Sequence, residues 1–179
     1  MNIAYEAMMF AREVHKDQRR KYTNEPYVLH LAEVAGIVST VAYDITARDR
    51  CATIEMLAVA WLHDVIEDQN ITFTQLADLF GFDVADGVRR LSDLEPGNRA
   101  ERKAFARVRL SEAPAWVQTI KCADLISNTS SIVMHDPKFA VVYLEEKRLL
   151  LDVMTKADPR LLALARMQAG DSKEDGNGS

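Results

Sequence analysis

Apolar residues along this chain return every third or fourth position, the period of helices packed on one face, and no stretch keeps a period-two alternation. Ala4, Ala7, Met8, Ala11 and Val14 mark a first helix from Ile3 to about Asp17, free of Gly and Pro. Pro26 fits the first turn of a second helix, whose stripe carries Val34, Ile37, Val38, Val41 and Ala42. Tyr43 to Arg50 reads as a polar link. Ile54, Leu57, Ala58, Trp61 and Leu62 then form the core side of a third helix that is expected to run on through Asp68. Thr72 with Gln75 fits a capping box, and Gly81 a stop after Leu79-Phe80. Val84 to Leu91 predicts a short helix, Pro96-Gly97 a turn, and the basic stretch from Arg99 a further helix. Pro114 opens a long helix that closes at His135-Asp136-Pro137; Lys138 to Lys156 and Pro159 to Met167 predict the last two.

Composition agrees with an all-α fold. Of 179 residues, 48% are apolar, which excludes a disordered chain, and seven Gly with five Pro are too few for a turn-rich sandwich or barrel. No linker or internal repeat divides the chain, so one helical domain over 1–168 is expected, with a flexible tail of Gly, Ser and charge over 169–179. A net charge of −5 argues against nucleic-acid binding, but not against an anionic small molecule met by local cations. No apolar run reaches the roughly 18 to 20 residues of a membrane span, and the first residues lack the basic head of a signal peptide. Cys51 and Cys122 lie far apart and read as small buried hydrophobes, so a cytoplasmic protein is expected. Nothing in the pattern specifies an oligomeric state.

The polar residues that interrupt the apolar stripes carry the candidate chemistry. In the stretch Trp61 to Asp68, read as one helix end, His63 lies four before Glu67 and Asp64 four before Asp68, on shared faces. Burying such groups unpaired costs roughly several kcal/mol each. Adjacent imidazole and carboxylate suggest a divalent metal; the structural alternative is a surface helix ending in acids. His30 sits on the buried stripe of the second helix, where a lone His is more often a hydrogen-bonded core residue than a ligand. Asp124 lies on the line Ile120, Asp124, Asn128, Ser131, a second inward carboxylate. His30, His63, Asp64 and Asp124 together offer two imidazoles and two carboxylates without a thiolate, a set suited to Mn²⁺, Fe²⁺ or Zn²⁺. Arg20 and Lys21, and the face shared by Arg99, Arg102 and Lys103, are cations that either hold phosphate or solvate helix ends.

Several stretches together resemble a known family. They are Ala11 to Lys21, Glu25 to His30, Leu62 to Asp68, Phe80-Gly81 and Lys121 to Asn128. In this order and at about this spacing they are similar to the HD-domain hydrolases of the RelA/SpoT type, in particular the stand-alone small alarmone hydrolases, over roughly residues 4 to 155. The resemblance implies a single HD-domain helical bundle with a Mn²⁺ ion in its core, held by His30, His63, Asp64 and Asp124. It implies that Glu67 and Asp68 handle the attacking water, and that Asn128, Arg20, Lys21 and Tyr143 line the nucleotide site. Leu31, Gln69, Thr129-Ser130-Ser131 and Leu91-Ser92-Asp93 depart from the family pattern, and they bear on the substrate pocket.

The implied reaction removes pyrophosphate from the 3′ position of guanosine 3′,5′-bis(diphosphate) or its pentaphosphate relative. Glu67 would accept the water's proton, Asp68 would orient it, and Arg20, Lys21, Arg102 and Lys103 would clamp the polyphosphate. The alternatives are an HD phosphohydrolase for a deoxynucleoside monophosphate or NADPH, and a non-catalytic module that binds a nucleotide. The first does not require the Arg20-Lys21 segment, and the second does not require Glu67-Asp68.

Overall fold

The computed structural model describes residues 2–47 and 53–170, and Cys51 lies outside them. Eleven helices are present among these residues: α1 (Ile3–Val14), α2 (Val28–Ser39), α3 (Ala42–Thr46), α4 (Thr53–Leu62), α5 (Val65–Gln69), α6 (Phe73–Phe80), α7 (Phe82–Leu91), α8 (Arg99–Glu112), α9 (Ala115–His135), α10 (Pro137–Val153) and α11 (Pro159–Gln168). No strand occurs among the described residues, so the all-α expectation holds; an isolated bridge pairs Arg19 with Pro26. The order of elements follows the hydrophobic pattern, while their ends follow local chemistry.

Two helices form the centre. α4 packs against α1, α2 and α7, and α9 packs against α2, α10 and α11. α9 is buried on nearly all sides, from Trp116 to Thr129, so its polar side chains need partners inside the protein. Gln118 donates to the Leu110 carbonyl at 2.7 Å and accepts from the Lys156 N–H at 2.8 Å. Thr119 Oγ1 donates to the Ala115 carbonyl and accepts from the Asp158 N–H at 2.9 Å. The α7–α9 contact requires Gly87: a Cβ there would stand 2.4 Å from Trp116 Cη2.

Several boundaries differ from the sequence expectation. α1 stops at Val14, and residues 15–27 form a strap in which the Tyr27 N–H donates to the Gln18 carbonyl and the Arg20 N–H to the Glu25 carbonyl. The expected link after Tyr43 contains α3, because Ala42 and Ile45 are drawn into the core and Thr46 Oγ1 bonds the Ala42 carbonyl at 2.8 Å. The third predicted helix breaks: α4 ends at Leu62, His63 and Asp64 form a turn, and α5 starts again at Val65. Thr72 and Gln75 form the expected capping box, Asn98 and Glu101 form another, and Gly81 at φ +87° separates α6 from α7. The packed part reaches Ala169, which is buried and accepts a 2.6 Å hydrogen bond from Arg148; the expected tail beyond Gly170 lies outside the described residues.

Candidate metal centre

Three elements deliver the central side chains. His30 lies in the first turn of α2, Asp124 in the middle of α9, and His63 at the turn that ends α4. All three are buried, and each offers a ligand atom within 4.8 Å of the others. Asp64 stands beside them, its Oδ2 3.0 Å from His63 Nε2 and 3.6 Å from His30 Nε2. Asp124 Oδ1 is 3.4 Å from His30 Nε2 and 3.8 Å from His63 Nε2. The break after Leu62 explains why consecutive residues reach one point: in a continuous helix neighbouring side chains point about 100° apart.

Both imidazole Nε2 atoms are buried without a hydrogen-bond partner. What faces them is carboxylate oxygen, at 3.0 Å for His63 and 3.4 Å for His30. The His63 Nδ1 atom lies 2.8 Å from the Ala60 carbonyl, which can only accept, so in the neutral ring Nδ1 carries the proton and Nε2 has the lone pair needed by a metal. Two imidazole nitrogens between two carboxylates therefore fit a divalent cation.

The four groups also set one another's protonation. Burial disfavours the imidazolium form, but Asp64 and Asp124 outweigh it, raising His63 to about 9 and raising His30 above its ordinary value. Burial likewise opposes charge on the acids, but His63 holds Asp64, and Lys121 holds Asp124, below the usual carboxylate range. The field that draws protons to the imidazoles is the field that draws a cation, so an ion binds in competition with those protons.

Outer partners orient these groups. Tyr27 donates to Asp64 Oδ2 at 2.6 Å, and Lys121 donates to Asp124 Oδ2 at 2.8 Å. Asn128 donates to Asp124 Oδ1 at 2.7 Å and accepts from Arg20 at 3.1 Å, so Arg20 reaches the centre through one intermediary. Glu67 Oε2 accepts from the Asp93 N–H at 3.0 Å; burial of its carboxyl pushes its pKa up against the pull of that N–H and of Lys121. Asp68 accepts from Gln18 at 2.8 Å, and Gln18 also meets His15 and Gln69.

Two cavities flank the centre. One of about 170 Å³ is lined by Asp124, Lys121, Asn128, Tyr143, Lys103 and Arg99, among others. The other, of about 250 Å³, is lined by Arg20, His30, Glu33 and Ser127 among others. The Arg20–Asn128 bond joins a residue of each. Tyr143 and Lys103 line the first cavity, Lys103 paired to Asp93 at 2.8 Å. Arg102 is not brought to the site: it donates to the Gly97 carbonyl at 2.7 Å, on its own helix's approach loop. Lys21 turns to the rings of Tyr22 and Phe139, with Nζ 4.9 and 5.9 Å from their centroids. Arg99 is held by a two-pronged ion pair with Glu146. Sequence reasoning missed Tyr27, Gln18, Glu33, Ser127 and Lys121 as partners; only Lys121, three residues before Asp124 on one helix face, had a periodic signal.

A family model described as an HD domain matches residues 7–123. The chain is 34% identical to the guanosine-3′,5′-bis(diphosphate) 3′-pyrophosphohydrolase MESH1 of Drosophila melanogaster, over 74% of this chain and 70% of that one. It is 34% identical to the MESH1 protein of Xenopus tropicalis, covering 74% and 71%. A probable enzyme of the same name from Synechocystis is matched at 34% identity over only 17% of its length. Among solved structures, a metazoan ortholog of SpoT described as hydrolysing ppGpp superposes with a TM-score of 0.81 at 26% identity, covering 96% of this chain and 97% of that one.

Proposed function

The chain belongs to the HD-domain family, and on that premise we propose that it is a Mn²⁺-dependent hydrolase that releases the 3′-pyrophosphate of guanosine 3′,5′-bis(diphosphate). The observation that carries this reading is the meeting of two unpartnered imidazole Nε2 atoms with two carboxylates in one buried place. The names of the MESH1 relatives support the substrate.

In this reading His30, His63, Asp64 and Asp124 hold the ion. A divalent ion bound there supplies a water of lowered pKa and neutralises phosphate charge. Glu67 accepts the proton of the attacking water, and burial, which raises its pKa, makes its carboxylate a stronger base than an exposed one. Asp68, held by Gln18, orients the water. Water adds at the phosphorus next to the ribose, the bond from that phosphorus to the 3′ oxygen breaks, that oxygen takes up a proton from solvent, and the products are GDP and pyrophosphate. Arg20, Asn128, Tyr143 and Lys103 line the two cavities and receive the nucleotide and its anionic arms. Arg102 and Lys21 are held by Gly97 and by the Tyr22 ring, and in this reading a movement of the strap or of the approach to α8 would be needed to bring them to the nucleotide.

The test is a side-by-side assay with Mn²⁺ on guanosine bis(diphosphate), GTP, a deoxynucleoside monophosphate and NADPH. The bis(diphosphate) is expected to be cut fastest. Faster cleavage of either of the last two would move the protein to another HD phosphohydrolase activity.

A further inference from the structure

Ser127 lies between two groups that no sequence motif joins. Its Oγ is 2.8 Å from His30 Nδ1 on one side and 2.7 Å from Glu33 Oε2 on the other. Ser127 is buried, whereas Glu33 is exposed at the wall of the 250 Å³ cavity. Proton bookkeeping fixes the direction of this chain. An ionised carboxylate has no proton to give, so Ser127 donates its single proton to Glu33. Ser127 must then accept from His30, so His30 Nδ1 carries a proton and Nε2 is left to face Asp64, Asp124 and His63.

We infer that Glu33 is a positioning residue: its carboxylate acts through Ser127 to hold His30 in the ring orientation and Nδ1–H form that present Nε2 to the ion. His63 is fixed by the Ala60 carbonyl, a backbone group that cannot be lost. His30 instead depends on a side chain and, behind it, on a surface charge. A hydroxyl alone is ambiguous, since it can donate to Nδ1 as readily as accept from it; the carboxylate removes that ambiguity. Glu33 and Ser127 occupy α2 and α9, so the relay also ties together two of the elements that deliver ligands.

This inference rests on the reading that His30 holds the ion, and the experiment separates the two. Mn²⁺ affinity is measured by competition with a chelator for the wild type, Glu33→Ala, Ser127→Ala, Ser127→Thr, Glu25→Ala and His30→Ala. Glu33→Ala and Ser127→Ala should weaken Mn²⁺ by about tenfold or more, as loss of an outer partner of a ligand does. Ser127→Thr keeps the hydroxyl and should restore binding. Glu25→Ala removes another carboxylate that lines the same cavity without touching Ser127, and should leave affinity unchanged. In the Zn²⁺-loaded, ¹⁵N-histidine-labelled protein, the His30 Nδ1–H signal should be protected in the wild type and exchange faster in Glu33→Ala and Ser127→Ala. Wild-type affinity in Glu33→Ala, or a loss no greater than in Glu25→Ala, overturns the relay. Wild-type affinity in His30→Ala overturns the ligand assignment instead.

Discussion

The Tyr27 hydroxyl donates a 2.6 Å hydrogen bond to Asp64 Oδ2, joining the strap after α1 to the turn that ends α4. Burial and the neighbouring Asp64 push the phenol's pKa far above its ordinary value, so it remains a donor at any working pH. Tyr27→Phe keeps the ring, which stacks on His15 at 5.2 Å, and removes only the donor. Affinity for Mn²⁺ should fall about tenfold while the fold is kept. A chelator titration with circular dichroism checks both; unchanged affinity would mean that Asp64 needs no support from the strap.

Glu67 tests the division between holding the ion and handling water. Glu67→Gln cannot accept a proton but preserves size and the hydrogen bond from the Asp93 N–H. Metal content by elemental analysis should match the wild type, with turnover lower by about 10² to 10⁴. Loss of metal together with turnover would make Glu67 a ligand.

Arg20 is linked to Asp124 through Asn128. Its contact with a nucleotide would exist in ground state and transition state alike, so Arg20→Ala should raise KM about tenfold and change kcat less. Steady-state kinetics with the bis(diphosphate) measure the split, and a loss confined to kcat would place Arg20 in the chemical step.

The helices and the polar positions that meet at the centre were legible because both depend on period. His30 falls on the apolar stripe of α2 and Asp124 on that of α9, where a polar residue stands out. The break after Leu62 was not legible, because apolar spacing continues through Val65 while the turn is set by tertiary contact around His63. Tyr27, Gln18, Ser127 and Glu33 act across 37 to 97 positions of sequence, and such pairings leave no periodic trace. Arg102 shares a helix with Lys103 as expected, but the nearby Gly97 carbonyl captures it, an outcome that charge patterning does not contain.

Lys147 is buried on α10, and among the described residues its acceptors are neutral, Thr129 at 2.7 Å and Gln168 at 3.1 Å. Burial lowers its pKa from 10.5 to about 8, against the pull of Cys122 and Asp124. Below pH 8 both folded and unfolded chains carry the proton, and the cost of burying the charge is fully present. Between 8 and 10.5 the unfolded chain binds more protons, so this group's contribution makes stability rise with pH. Lys147→Met should be more stable than the wild type by up to about 3 kcal/mol at pH 7, at about 1.4 kcal/mol per tenfold change in proton affinity, and the difference should shrink toward pH 10. Urea unfolding at the two pH values checks the sign; a gap that widens with pH would contradict it.

The central claim joins an ion at His30, His63, Asp64 and Asp124 to one cleavage. Metal-stripped protein is mixed with guanosine 3′,5′-bis(diphosphate), and ³¹P resonances are followed as Mn²⁺ is added in steps. The account predicts no turnover before addition, then GDP and pyrophosphate appearing in equal amounts, with the rate saturating as the site fills. Turnover that is indifferent to stripping, or release of orthophosphate in place of pyrophosphate, would contradict it.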